Sequence, residues 1–242
     1  MDTQILKHGQ LARLFPVLPD SQKEQKTLSI FLAAITSVKP LAERCLAIVD
    51  QKIGKRTDVK CFTEVTLTNE IKGFKDRPDA LLVVKSGKRS WSALIEAKTG
   101  KNLLDSDQIE RYLQLAKVNG VDAVITISNQ LTPSPRIHPI WSRALPKNLE
   151  LFHISWAAIL TQAFLLIASK TDPFENDDEA FITSEFIRYL EHPMSGVLPL
   201  SQMNKEWPDL VKAVQSGHPP NPKTPEVASM VAMWHQEARD VA

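Results

Sequence analysis

Apolar residues at Leu28, Phe31, Leu32, Ile35 and Val38 recur three or four positions apart, the spacing of one helix face, and predict a helix over about 22–38. Pro40 opens a second helix at about 41–52. Residues 1–20 hold Pro16 and Pro19 with no sustained period and read as irregular. The pattern then changes to short apolar runs at 59–67, 80–84 and 92–97, as expected of strands covered on both faces. A polar, glycine-containing stretch at 85–90 is short enough to join the second and third of these as an antiparallel hairpin. A helix follows at 106–119, capped by Asp105 or Ser106 and stopped by Gly120, and then a β-branched buried strand at 121–128.

The stretch 129–148 carries four prolines (Pro133, Pro135, Pro139 and Pro146) and reads as a connection, with His138 and Trp141 as anchors in it. A strand at 149–154 runs into a helix ending near 166, and 179–190 forms another, with Phe181, Ile182, Phe186 and Leu190 on one side. His153 and His192 read as structural. Between these helices, 172–179 is an acidic, solvated loop. The tail from 196 is rich in proline (Pro219, Pro220, Pro222, Pro225) and is expected to pack loosely before a short helix at 227–238. There is no internal repeat. The fold class is α/β, with a helical C-terminal extension.

With 242 residues the chain can bury one sizeable core plus extensions, and 24% charged residues is ordinary for a soluble domain. No segment approaches the roughly 20 apolar residues that span a bilayer. The N-terminus lacks a basic region followed by an apolar one, so export is not expected and a cytoplasmic location is. Two cysteines, Cys45 and Cys61, supply neither a disulfide framework nor a cysteine-rich metal site. A net charge of +1 does not announce a nucleic-acid binder, but the positive charge is uneven. It collects at Lys52, Lys55, Arg56 and Lys60, at Lys72, Lys75 and Arg77, and at Lys85, Lys88, Arg89, Lys98 and Lys101, where phosphate contacts are expected.

The candidate chemistry lies on the 80–84/92–97 hairpin. Arg77-Pro78-Asp79 precedes its first strand, and Ile95-Glu96-Ala97-Lys98 ends its second. Residues two apart on a strand share a face, so Glu96 and Lys98 point the same way, and hairpin pairing returns Asp79 towards Glu96. Two carboxylates at the rim of a buried sheet repel one another and call for a positive partner. A hard divalent cation, Mg²⁺ or Mn²⁺, needs only one or two such carboxylates besides water and substrate oxygens. Lys98 would then stand beside a scissile phosphate and offset charge developing on phosphorus. The plainer alternative is an aspartate that starts a turn and a solvated Glu-x-Lys ion pair.

These residues resemble the signature of the PD-(D/E)xK nuclease superfamily, matched by Pro78-Asp79 and Glu96-Ala97-Lys98 within the order strand, turn, strand, glycine turn (Thr99-Gly100), helix, strand. The resemblance covers little more than half the chain. It implies a restriction-endonuclease-like mixed-sheet core flanked by helices, in a unit of residues 1–155, with 156–242 as a helical extension packed on it. It also implies that Asp79, Glu96 and the Ala97 carbonyl hold the metal and that Lys98 is the catalytic lysine. Gln108 and Tyr112 share a face of the following helix and look like the Gln-x-x-x-Tyr motif of one branch of the superfamily, where it borders the active site. Otherwise Gln108 completes a capping box with Asp105, and Tyr112 packs with Leu115.

Many members carry a further acid before the first strand. Glu24 is the candidate, on the apolar face of the first helix, although Ser21-x-x-Glu24 is equally a capping box; Glu64 is the second candidate. The function expected is metal-dependent hydrolysis of phosphodiester bonds, most naturally in DNA, in repair or in defence against foreign DNA, with end or internal cleavage undecided. A homodimer or a protein partner would dock through the C-terminal extension, and no membrane is involved. The alternative is a catalytically silent nucleic-acid-binding or sensor module that kept the fold.

Overall fold

The computed structural model describes residues 5–19, 21–71, 77–171, 173–198, 207–218, 221 and 224–240. Six strands form one mixed sheet in the order β1-β2-β3-β4-β5-β6: β1 (Leu6–Leu11), β2 (Thr57–Leu67), β3 (Ala80–Ser86), β4 (Arg89–Ala97), β5 (Ala123–Ser128) and β6 (Glu150–Ser155). The first four run antiparallel in sequence, and β4, β5 and β6 are parallel. The parallel pairs need crossovers. The first is α3 (Ser106–Asn119), capped by Asp105 and closed by Gly120 at φ 66°; the second is the proline-rich connection at 129–148.

The β3–β4 hairpin turns on Gly87-Lys88, with Ser86 paired to Arg89. Gly87 takes φ 60°, the left-handed backbone that a two-residue hairpin turn asks of glycine at this place. The pairing sets Ala80 opposite Ile95 and so brings Asp79 to the end of β4. Successive side chains on these strands divide between two cores. Leu81, Val83, Leu94 and Val124 pack under α3 with Tyr112 and Leu113. Ala80, Leu82, Ile95, Ala97 and Ile125 pack under the other layer, with α1 (Lys23–Ser37), α2 (Lys39–Ala47), α4 (Trp156–Ile167) and α5 (Asp177–Glu191). At roughly 25 cal/mol per Å² of apolar surface, these two-sided runs supply most of the drive to fold. Phe31 of α1 lies against Trp156 and Phe186, which fixes that layer on the sheet.

Three elements differ from the expectation. Residues 6–11 form β1 rather than irregular chain. As an edge strand with most of its residues exposed, it carries no alternation to announce it. The proline-rich tail contains α6 (Trp207–Gln215), which buries no residue, and α7 (Pro225–Asp240) starts at Pro225. Pro219, Pro220 and Pro222 lie outside the described residues. α7 docks on α4, where the buried Gln236 amide donates to Thr161 Oγ1 at 3.0 Å. Among the described residues no helix is long and apolar enough to cross a membrane.

Candidate active site

Asp79 and Glu96 share the α3 side of the sheet, in step with Leu81 and Leu94. Asp79 Oδ2 accepts the Ala97 amide N–H at 2.9 Å, which ties the start of β3 to the end of β4. Glu96 is 2% exposed. Its Oε1 takes a 2.7 Å charge-assisted bond from Lys98 Nζ, and its Oε2 is buried with no hydrogen-bond partner among the described residues. Such an orphaned carboxylate oxygen is costly unless a ligand satisfies it. Lys98 itself is 18% exposed, so one side of the ammonium meets solvent.

Electrostatics follow from this crowding. Burial, and then the neighbouring Glu96 charge, push the Asp79 carboxyl up to about 8. Burial likewise raises Glu96, against the pull of Lys98. Burial pushes the Lys98 ammonium down, but the combined attraction of Glu96, Glu24 and Asp79 outweighs it and leaves Lys98 raised and charged. One cation therefore holds together more negative charge than it neutralises.

Glu24 enters this group from the opposite layer, through the first turn of α1. Its Oε1 accepts from Asn102 Nδ2 at 2.7 Å and from the Thr99 amide at 3.3 Å, and its Oε2 stands 3.9 Å from Lys98 Nζ. The capping box with Ser21 does not form: Gln22 is the N-cap, and no side chain bonds the helix start. Glu64 lines the cleft that reaches Asp79 but makes no contact with Lys98. It occupies a bulge in β2 at φ 54°, exposed, with its carboxylate held by Gln10 Nε2 at 3.0 Å. Of the two candidate acids, Glu24 is the one beside Lys98.

Gln108 and Tyr112 meet as their helical spacing requires, with Gln108 Nε2 donating to the Tyr112 hydroxyl at 3.0 Å. The hydroxyl donates in turn to the Arg77 carbonyl at 2.8 Å. Although this hydroxyl lies beside Glu96, its proton is committed to Arg77 and leaves Glu96 Oε2 unsatisfied. The pair thus props the Arg77-Pro78 peptide that delivers Asp79. No capping box with Asp105 forms here, because Asp105 caps Asp107 instead. Two supports carried no signal in the sequence beyond ordinary loop and apolar residues: Asn102, which holds Glu24, and Trp156, whose indole donates to the Lys98 carbonyl at 2.9 Å.

The basic residues do not gather as one surface. Lys85, Lys88 and Arg89 sit at the turn of the β3–β4 hairpin, and Lys55 and Arg56 sit beside the start of β2, which pairs with that turn. At about 3.3 Å per residue, that end lies on the order of 20 Å from Asp79. Lys60 pairs with Asp58. Lys72 and Lys75 lie outside the described residues, and Arg77, Lys98 and Lys101 remain near the carboxylates.

His138 and His153 also stay out of the cluster. Ile140 donates its amide to His138 Nδ1, so that ring donates through Nε2 to Thr126 Oγ1; His153 donates through Nε2 to the Gln130 carbonyl and accepts from Thr126 at Nδ1. Two neutral rings bridged by one hydroxyl anchor the 129–148 connection to β5 and β6, as the anchoring reading of His138 expects. Trp141 packs against the α3-side core, with its indole nitrogen donating to the Arg143 carbonyl and the Arg143 guanidinium over its ring. His192 caps a 3-10 turn through Met194.

Among the described residues no three His, Cys, Asp or Glu side chains converge as an enclosing metal cage. Two neighbouring carboxylates, one with an unsatisfied oxygen, and solvent access beside Lys98 suit a hydrated Mg²⁺ or Mn²⁺, so the donor set fits such an ion. No family model, curated protein or solved structure matches the chain.

Proposed function

We propose that the chain is a metal-dependent nuclease with a restriction-endonuclease-like core, hydrolysing phosphodiester bonds in nucleic acid, most naturally DNA. The observation that carries this reading is the buried Glu96 carboxylate: one oxygen is bound by Lys98, the other is unsatisfied, and Asp79 is held alongside it. A solvated Glu-x-Lys surface pair would show neither the burial nor the orphaned oxygen. The order β3, β4, α3, β5 agrees with the order that the resemblance to PD-(D/E)xK nucleases implies.

In this reading Asp79 and Glu96, with the Ala97 carbonyl at the end of β4, would hold one Mg²⁺ or Mn²⁺. When bound, that ion polarises the phosphate and lowers the pKa of water. The protein's own part is positioning and charge. Lys98 faces the phosphate and balances negative charge as water adds to phosphorus and the bond to the leaving oxygen breaks. Glu96 and Glu24 keep Lys98 protonated and fix its direction. Gln108 and Tyr112 are positioning residues that hold the Arg77-Pro78 peptide and, through it, Asp79.

Calorimetric titration with Mn²⁺ tests the site without relying on turnover. The expected result is one binding event in the wild type that disappears in Asp79→Asn and in Glu96→Gln. Equal Mn²⁺ binding by all three folded proteins would overturn the assignment.

A further inference from the structure

The chain returns to the site from its C-terminal part, at the turn that follows Lys98. Because β4 and β5 are parallel with Ala97 opposite Ile127, the residues that follow them, Thr99-Gly100 and Asn129, leave the sheet side by side. Asn129 uses its whole side chain there. Its Nδ2 donates to the Gly100 carbonyl at 3.0 Å and to the Gly196 carbonyl at 2.9 Å, and its Oδ1 accepts the Leu198 amide at 3.0 Å. Gly196 meets the same turn directly, its carbonyl accepting the Gly100 amide at 2.6 Å. It takes φ 74°, and a methyl group on its Cα would stand 2.8 Å from Thr99 Cβ and 3.2 Å from the Gly100 nitrogen, so the approach requires glycine. One residue earlier, Ser195 is buried, and its carbonyl accepts from Thr27 Oγ1 at 2.8 Å, one turn beyond Glu24 on α1.

Resting on the nuclease reading above, we infer that residues 195–198 and Asn129 form a clamp that completes the active site, with Asn129, Gly196 and Thr27 acting as positioning residues for Lys98. The turn that the clamp grips is closed by the Asn102 amide on the Thr99 carbonyl at 3.2 Å. It carries two donors to Glu24, the Thr99 amide and the Asn102 side chain, and Glu24 in turn faces the Lys98 ammonium. Thr27 ties the clamp to the helix that bears Glu24, so the acid and the turn that holds it share one support. Asp79 and Glu96 are held otherwise, by the β3–β4 pairing, the Ala97 amide and the Tyr112 prop on Arg77. The clamp therefore sets the direction of Lys98 and leaves metal binding alone. An ångström of misplacement at a reacting centre can cost on the order of 100-fold in rate.

The test uses the full chain with Mn²⁺ on single-stranded and duplex DNA, at a temperature where each variant is folded by circular dichroism. Asn129→Ala is expected to lower kcat about tenfold or more with KM unchanged, while calorimetry shows Mn²⁺ binding as in the wild type. Thr27→Val, which keeps the shape and removes the hydroxyl, lowers kcat in the same way. Thr27→Ser, which keeps the hydroxyl, retains it. That order separates positioning from packing, since serine fills a buried position less well than valine.

Wild-type kcat in Asn129→Ala, or Thr27→Ser no more active than Thr27→Val, would overturn this inference and leave the nuclease reading standing. Mn²⁺ binding lost together with kcat, or a change confined to KM, would do the same. No cleavage of either DNA by the folded wild type would overturn both.

Discussion

Asp79 is held half-buried by one described hydrogen bond, beside a second carboxylate, and its carboxyl is pushed up to about 8. An unfolded aspartate titrates near 4, so between about pH 4 and 8 the folded, metal-stripped protein binds the extra proton. Stability therefore falls across that window as pH rises. Asparagine keeps the acceptor for the Ala97 amide and removes the charge. Asp79→Asn is accordingly expected to stabilise chelator-treated protein by about 1 kcal/mol at pH 8, an advantage that fades towards pH 4. Denaturant unfolding at the two pH values measures it; an equal or lower stability at pH 8 would remove the electrostatic account of this residue.

At this scale the members of the carboxylate–lysine cluster were easier to see in the sequence than their supports. Asp79, Glu96 and Lys98 were legible because strand alternation and one short hairpin fix their relation. Asn102, Trp156 and the Arg77 carbonyl were not, because they reach the site through backbone groups and across layers that no local spacing records.

Among the elements, α3 ties the site to the sheet. Tyr112→Phe leaves the packing under Leu113 and Ile109 but removes the proton given to Arg77. A stability loss of about 1 kcal/mol is expected. A fall in kcat with little change in KM should accompany it, since Tyr112 positions Asp79 and meets no substrate; a change confined to KM would place it in binding instead. The β5–β6 pair carries its own pH signature. Burial lowers His138 to about 3 and His153 to about 4, below the ordinary value near 6.5. The unfolded chain thus binds more protons below pH 6.5. Stability is full above that pH and is lost as pH falls towards 4, by about 1.4 kcal/mol per pH unit for each ring. His153→Gln should flatten this slope relative to the wild type in unfolding titrations, and an unchanged slope would contradict the neutral pair.

Helix and strand periods made most elements visible, and the misses have physical causes. β1 is a polar edge whose partner, β2, is some fifty residues away, so its existence depends on pairing rather than propensity. α6 has the apolar spacing of Trp207, Leu210, Val211 and Val214, with Pro208 suited to a first turn, but the surrounding proline content points towards loose chain.

For the whole molecule, the sheet brings residues from three separated stretches, near 24, 79 and 96–98, to one rim and keeps the hairpin-turn cations at the opposite end. The charge beside the carboxylates is itself mixed: Arg13 and Arg77 share one neighbouring cleft with Glu64, and Lys23 and Lys101 share another with Glu191. The hairpin-turn cations, which the sequence grouped with Lys98, share a hairpin but not a surface. The most direct measurement is cleavage of single-stranded and duplex DNA with Mg²⁺ or Mn²⁺ by the wild type, Asp79→Asn and Lys98→Ala, with chelator controls. The account predicts metal-dependent cleavage by the wild type and a loss of about 100-fold or more in both variants, each folded. Cleavage that persists in both variants, or that proceeds in chelator, would contradict it.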